Sequence, residues 1–515
     1  MADGDSKDTR RGASPHAWTI STYFAEGFPY SVVNNLADLF FTEAKATLAQ
    51  IGLTSMFHLP WNLKFLIGPF VDAYATKRRW LIAFEVLCAI AIVALAVAST
   101  VGNVLVTAAV AFMVLGVCSA THDIAVDGLY LEALDKDEQA RFVGYRAPAY
   151  RAAIIVVTGP IVILAKHAGW TAAFAVCGAI MLALLGIHAI ILPRTEVEKP
   201  GFRALLRSLA SLRMLAVAVG IAAVVLAGRA FFAADIWGAI KDALAATFPA
   251  LAVPVGKLGV AEWIGVALSL VLVVTLLSLP LLRRRLHGSE SFYARSFVSL
   301  LEAPYATRFL VYIVLFRVGE SFLMKMKYPF CSRAIGLTLD EYGVINGVIG
   351  MVVGLAAPAL GGYIIAKRGF DRFIWPALFA QNVLSLLFAV AAFFATPIAA
   401  MHGEGHQLAG IDGRLIVMTA VIVVETAGAG LGTAAFMVYI MRCCQAEHKA
   451  AHMAILTSIM SVAFTLAGVF SGFLADALGY TAYFAFTFIV TIPGMLLTFY
   501  VPHVTGPGAA PQRGT

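Results

Sequence analysis

Charge is scarce in this chain. Of its 515 residues, 13% are Asp, Glu, Lys or Arg, where soluble domains carry about 25%. With 60% apolar residues, no water-soluble fold could hide the surface, so the length is read as membrane spans rather than soluble domains. Cysteine is also sparse. Cys88, Cys118, Cys177, Cys331, Cys443 and Cys444 lie mostly in apolar runs without ligand-type spacing, and the last two are adjacent. They are read as small core hydrophobes, with no disulfide framework and no metal. No His-Glu-x-x-His run and no nucleophile–base pair stand out, so an enzyme and a cofactor are not expected. Neither tail is long enough for a signalling domain, which argues against a transporter-derived sensor. No cleavable signal precedes the first apolar run; Met1 to Pro15 is polar and expected to be disordered. The net charge of +7 sits in loops and does not suggest nucleic acid.

What the chain has is long apolar runs. About 20 apolar residues make one membrane-spanning helix. Runs at about 17–41, 49–72, 80–99, 103–127, 142–165 and 170–192 are followed by a pair at about 212–233 and 262–281. Six more lie at about 306–330, 340–365, 373–396, 413–441, 451–474 and 480–501. The chain is therefore expected to be an all-α polytopic membrane protein of about fourteen helices, working in a lipid bilayer as a monomer. The expected parts are a tail (1–16), a six-helix bundle (17–192), a central linker with the extra pair (193–305), a second six-helix bundle (306–502) and a tail (503–515). The linker segment Asp235 to Glu262 is expected on the outer face.

Lys and Arg cluster in one set of alternate loops, among them Lys77, Arg78 and Arg79; Arg283 to Arg285; and Lys367, Arg368 and Arg372. The other set is poor in bases. The basic set, and with it both termini, is expected to be cytoplasmic. The second run ends Gly68-Pro69-Phe70-Val71-Asp72 before Lys77-Arg78-Arg79, and the run near 340–365 ends Gly361-Gly362-Tyr363 before Lys367-Arg368. This repeated device suggests two bundles related by a pseudo-twofold axis, with a substrate site between them near the midplane. Gly68 and its counterparts would allow close helix approach. Asp72 with Arg78 and Arg79 would form a conformational gate.

Several motifs give the chain a family resemblance. Thr121-His122-Asp123-Ile124-Ala125-Val126-Asp127 resembles a TQDIAIDA-type motif. Leu59-Pro60-Trp61-Asn62-Leu63-Lys64-Phe65-Leu66 resembles LPYxLKFLW. Phe316-Arg317-Val318-Gly319-Glu320 resembles YKxGD, and Glu425 to Phe436 is similar to ENxxGGxGTAAF. These belong to AmpG-type permeases of the major facilitator superfamily, and the likeness runs from about Tyr23 to Pro502. It implies proton-driven import, across the bacterial inner membrane, of muropeptides (N-acetylglucosamine–anhydro-N-acetylmuramic acid with or without a peptide), a step of peptidoglycan recycling. Acetyl-CoA transporters share part of the fourth-helix motif. An acyl-CoA-like anion or a small peptide is the alternative cargo. Glu26, His122, Glu320, Arg146 and Arg151 depart from the family pattern and suggest a divergent branch.

A charge inside a span costs a few kcal/mol and usually marks a polar path. Asp123 and Asp127 share one helix face and are proton-coupling candidates, with Lys64 or Arg146 as counter-charges. Glu26, followed by Gly27 and Pro29, Glu320 and Glu425 are the other proton candidates. Arg317 can pair with Glu320 or grip a cargo carboxylate with two parallel hydrogen bonds. Arg317 is the first candidate for substrate contact and Lys325 the second, with Arg146 and Lys64 beside them. Trp61 and Tyr30 are candidates for stacking on sugar rings. Lys327 is expected to snorkel to the outer interface, and His448 and His452 are read as solvated or capping residues.

Overall fold

The computed structural model describes residues 14–194, 200–209, 236–247, 277–287, 292–403, 405–445 and 449–501, with isolated positions at 267, 270 and 274. Among these residues, helices fill nearly every apolar run. This follows from the solvent: backbone N–H and C=O groups in hydrocarbon must find partners within the chain, and a helix supplies them locally. Seven described helices are long and apolar enough to cross a membrane. Two of them, Tyr145–Ile191 and Ala451–Leu497, are 47 residues long and double back at a glycine. Gly169 (φ 85°) and Gly479 (φ 73°) adopt the left-handed conformation that a side chain resists. The same seven-residue pattern follows both turns: Gly169-Trp170-Thr171-Ala172-Ala173-Phe174-Ala175 and Gly479-Tyr480-Thr481-Ala482-Tyr483-Phe484-Ala485.

The first half runs through helical stretches at 15–43, 48–73, 77–98, 104–133, 136–168 and 170–191. The second runs through 306–333, 339–368, 370–393, 413–443, 449–478 and 480–497. The expected extra pair at 212–233 and 262–281 lies almost wholly outside the described residues. Within the expected outer linker, Ile236–Thr247 is helical.

Several stretches are broken rather than straight. The first changes to a π turn at Val32–Leu36, just after Gly27 and Pro29. Gly27 is required there: a Cβ on it would lie 2.6 Å from the Tyr150 carbonyl oxygen. The fifth stretch has a π turn at Val157–Ile161 and the eighth at Gly343–Ile349. These two turns press together, since a Cβ on Gly347 would lie 2.0 Å from the Thr158 carbonyl oxygen.

The cores show how the halves sit. One hydrophobic cluster takes residues from both halves, such as Phe40, Phe57 and Phe112 with Phe322, Phe330 and Phe484. It lies toward the face opposite the Lys77–Arg79 loop. Toward the basic face the core splits. One cluster there belongs to the first half (Trp18, Trp80, Leu129, Phe142) and another to the second (Phe309, Tyr312, Phe370, Phe436). The halves are thus joined at the far face and parted at the basic face. Four cysteines are buried as expected, while Cys443 and Cys444 are only half-buried.

Candidate functional site

The parted side of the molecule holds the charges. In the first half, Lys64 Nζ lies 3.4 Å from Asp123, and Arg146 pairs with Asp127. The Tyr23 hydroxyl donates to Asp127 at 2.8 Å, and the Arg146 guanidinium stacks over the Tyr23 ring at 4.4 Å. Asp123 and Asp127 thus share a face as the i,i+4 spacing requires, each with its own cation. Glu26 lies buried near the same two acids. One of its carboxyl oxygens is buried without a partner among the described residues.

In the second half, Arg317 lies 3.1 Å from Glu320 and donates to Thr433 at 2.7 Å. It stands at a break between Ala306–Phe316 and Val318–Arg333. Lys64, Asp127, Arg146 and Arg317 keep between 23% and 41% of their side chains exposed. Mid-span charges with that much open surface face a polar cleft between the halves. Tyr30, Trp61 and His58 close its far end: Tyr30 meets Trp61 edge-on at 5.2 Å, and His58 stacks on Trp61 at 5.4 Å. His58 is held by Asn34 at 2.7 Å.

Beyond these rings the halves are bolted together. Lys325 Nζ, 4% exposed, binds Asp38 at 2.6 Å and Thr54 at 2.6 Å. The Tyr328 hydroxyl donates to Glu43 at 2.6 Å, and Arg333 to the Ala46 carbonyl at 2.6 Å. Asn62 donates to Thr465 at 2.7 Å. Gly472 lets Leu48 cross closely, since a Cβ on Gly472 would lie 1.9 Å from the Leu48 carbonyl oxygen. Lys325 is therefore committed to this latch, away from the cleft. Lys327 does not snorkel. It is buried and pairs with Glu425 at 2.6 Å over the Phe388 ring. A carboxylate facing it from the neighbouring span outweighs the pull of the interface. Glu425 is followed by tightly packed glycines; a Cβ on Gly428 would meet Ala380 and one on Gly430 would meet Ala357.

At the basic face, Asp72 pairs with Lys77, while Arg78 donates to the Ala189 carbonyl at 2.8 Å. Arg79 donates its backbone N–H to Thr76. Among the described residues nothing comes within 4 Å of a Cβ on Gly68; Gly361 does pack tightly, against Ala434. His452 is wholly buried and caps rather than facing solvent: its Nδ1 accepts from the Gln445 amide at 3.1 Å. His448 lies outside the described residues.

One buried group has no counterpart in the sequence reading. Glu85 and His188, both wholly buried, pair at 2.8 Å, and His188 reaches Ser21 at 3.0 Å. Ser, His and Glu thus do form a chain, although no nucleophile–base pair stands out in the sequence. The Ser21 hydroxyl also reaches the Trp18 carbonyl, and the pair is sealed between helices, so the chain ties spans together. The signal available was a lone acid at position 85 inside an apolar run. Asp38 and Glu43 were missed as well, because acids near a span end look interfacial.

No family model matches the chain. It is 22% identical to the anhydromuropeptide permease of Escherichia coli (strain K12) over 481 residues, which are 92% of this chain and 77% of that one. It is 20% identical to the putative transporter AmpG 4 of Rickettsia conorii, over 92% of this chain and 93% of that one. A crystal structure of a peptide transporter POT in complex with sulfate superposes with a TM-score of 0.65 at 13% identity, covering 96% of each chain. The chain therefore has the major facilitator fold and fits a divergent AmpG-like member. It is a multi-pass membrane transporter of a small molecule; its relatives are permeases rather than enzymes.

Proposed function

We propose that this transporter imports cell-wall muropeptides, N-acetylglucosamine–anhydro-N-acetylmuramic acid with or without a short peptide, together with protons across the bacterial inner membrane. The single observation that carries this reading is the cleft. Paired acids and bases from both halves face it at mid-span, and aromatic rings close its far end. Relatives named for anhydromuropeptide transport point to the cargo.

The basic-loop face is the cytoplasmic one. With the far face latched, the described arrangement is inward-facing. Six-helix halves at 17–192 and 306–502 rock about the cleft, and the linker 193–305 joins them. Asp123, Asp127 and Glu26 are the proton carriers of the first half. Glu320 and Glu425, each paired with a base, respond to them in the second. Protonation of a carboxylate releases its cation and changes which arrangement of the halves is favoured. Trp61 and Tyr30 offer faces for the amino-sugar rings. Lys64, Arg146 and Arg317 offer positive charge to the lactyl or peptide carboxylates. At the basic face, Asp72 with Lys77, Arg78 and Arg79 forms the inner gate that closes when the latch opens.

The test is uptake of labelled anhydro-muropeptide into proteoliposomes, with an inward proton gradient and with the gradient collapsed. Uptake that needs the gradient supports both cargo and coupling. No uptake by folded protein rejects the cargo. Uptake and pH dependence that survive neutral substitution of all five acids reject the proton carriers.

A further inference from the structure

The three turns at the far face of the first half surround a cavity of about 530 Å³, within the range of about 300–1,000 Å³ usual for small-molecule sites. Glu43 stands at the end of the first stretch, Ser99 at the turn between the third and fourth, and Lys166, Trp170 and Thr171 at the turn between the fifth and sixth. Leu339, from the second half, completes the wall. The cavity therefore lies beyond the latch, at the opposite end of the molecule from the open mouth of the cleft. Its groups are held from behind. The half-buried Trp170 indole meets the buried Phe40 ring edge-on at 5.2 Å. Glu43 Oε1 accepts from the Tyr328 hydroxyl of the second half at 2.6 Å, and its Oε2 has no partner among the described residues. Ser99 and Thr171 share a hydrogen bond at 2.8 Å. Lys166 is exposed and forms no ion pair among the described residues.

The second half repeats this frame and closes it. Phe330 meets Tyr480 at 5.3 Å, as Phe40 meets Trp170. There the Tyr480 hydroxyl is buried. Arg414, at the start of the tenth stretch, donates to the Gly336 carbonyl and, at 3.0 Å, to Glu341. One side chain thus ties the turn before the tenth stretch to the turn before the eighth. In the first half the corresponding turns border the cavity instead. The fold can close this position with its own side chains, and on one side it leaves it open. The groups left there suit a saccharide. An indole offers a face to a sugar ring, a carboxylate oxygen accepts from its hydroxyls, and an ammonium ion takes an acidic substituent. A carboxylate in the same cavity disfavours a multiply charged anion.

We propose that this cavity is a second saccharide site, where a sugar bearing one carboxylate docks on the far face before the cleft opens to it, with its ring on Trp170, its hydroxyls on Glu43 and its acid on Lys166. That the sugar is the cargo rests on the muropeptide reading; the site itself does not. The cavity also lies on the seam between the halves. Leu339 in its wall, Tyr328 behind Glu43, and Asp340, 3.8 Å from His167, all belong to the second half. Opening the latch draws that wall away, so the site is whole only while the latch is shut. Docking therefore favours the latched arrangement. When the halves part, the sugar is released at the outer mouth of the cleft.

The experiment is thiol protection in the purified full-length protein. Thr171→Cys, exposed at the rim, is combined with Cys443→Ser and Cys444→Ser and labelled with a charged maleimide, the other four cysteines being buried. The probes are N-acetylmuramic acid, N-acetylglucosamine, which lacks the carboxylate, and a short-chain phosphatidylethanolamine. Both sugars are expected to slow labelling, N-acetylmuramic acid at a roughly tenfold lower concentration. Lys166→Gln, at an exposed position outside the core, should make the two sugars equal. Trp170→Leu should abolish protection by both, and Trp61→Leu, in the cleft, should leave it intact. Protection lost in Trp61→Leu and kept in Trp170→Leu overturns the far-face site, as does a preference for N-acetylmuramic acid that survives Lys166→Gln. Protection by the lipid alone overturns the saccharide and makes the cavity a headgroup site. No protection by any probe overturns the proposal and leaves the muropeptide reading to the uptake assay. Protection by N-acetylmuramic acid without gradient-driven muropeptide uptake keeps the site and removes that reading. Asp38→Asn should protect less; undiminished protection in that variant with its far face open overturns the tie to the latch.

Discussion

The latch between Lys325 and Asp38 gives the sharpest handle on the transport cycle. Asp38→Asn keeps the shape of the side chain and removes its charge. In the closed arrangement Lys325, 4% exposed, would then be a buried cation held only by neutral oxygens, the new amide oxygen and the Thr54 hydroxyl. Removing one member of a buried pair costs about 3–5 kcal/mol. Asp38 keeps 18% of its side chain exposed and Thr54 still accepts, so about 2 kcal/mol is the expected loss, a shift of about thirtyfold toward the outward-open arrangement. Spin labels at Lys45 and Leu478, exposed at the far-face ends of spans from different halves, would report it. Their distance distribution should lengthen in Asp38→Asn. The control is Asp38→Asn with Lys325→Met. With both charges gone nothing is left unpaired, so the shift should be smaller than in the single variant. An unchanged distribution in Asp38→Asn, or an equal shift in the double variant, would refute the electrostatic argument.

Other variants test other parts of the fold. Gly472→Ala places a methyl group 1.9 Å from the Leu48 carbonyl oxygen; it should hold the far face open in the same spin-label assay and abolish uptake. Gly68→Ala meets none of the described residues within 4 Å and should leave uptake unchanged, so a loss there would argue for a helix contact in another state. Glu85→Gln leaves His188 without its carboxylate inside the first half. It should destabilise that half by about 3 kcal/mol, seen as a lower melting temperature with wild-type cargo affinity, and adding His188→Gln should cost less than the sum of the two. On the far-face hairpin, the hydrogen bond from His402 holds the Asp412 carboxyl below the usual carboxylate range. A depressed value stabilises the hairpin above pH ~4 and the contribution is lost below it. Amide exchange at Gln407 to Asp412 should therefore quicken as the pH falls past that point, after correction for the intrinsic rate, and Asp412→Asn should remove the step.

The spans were legible because hydrocarbon leaves the chain few options. Apolar runs of about 20 residues must be helical there, and the described helices fall within a few residues of those expected. Local pairings were legible too. Asp123 with Asp127 and Arg317 with Glu320 follow from helical spacing alone. Partners far apart in sequence were not. Lys325 with Asp38 and Lys327 with Glu425 are decided by which spans the fold sets side by side, and nothing near Lys327 in the sequence announces Glu425. Glu85 and His188 were hidden for the opposite reason. Each is a single polar residue in an apolar run, and their meaning appears only when spans three and six touch. Arg151 was noticed as a departure from a family pattern. That no ion pair joins it to another described residue is visible only in three dimensions.

The segment joining the halves has an arrangement with mechanical meaning. At its start, the Ala75 amide donates to the Pro200 carbonyl at 2.8 Å and Phe202 packs edge-on against Trp80 at 4.9 Å, both in the first half. At its end, the helix Phe292–Glu302 is held to the second half by His452, which binds the Ser296 carbonyl at 2.9 Å, and by Gln445, which binds the Ser299 carbonyl at 3.1 Å. Each end of the cable is clamped to its own anchor block. The helix Leu279–Leu286 is tied to the same anchor through Arg283 and Glu302 at 3.3 Å, so the length of chain between Leu209 and Leu279 sets how far the blocks can part. Insertions there should be tolerated, whereas deletions should stop the swing once the remaining cable cannot reach.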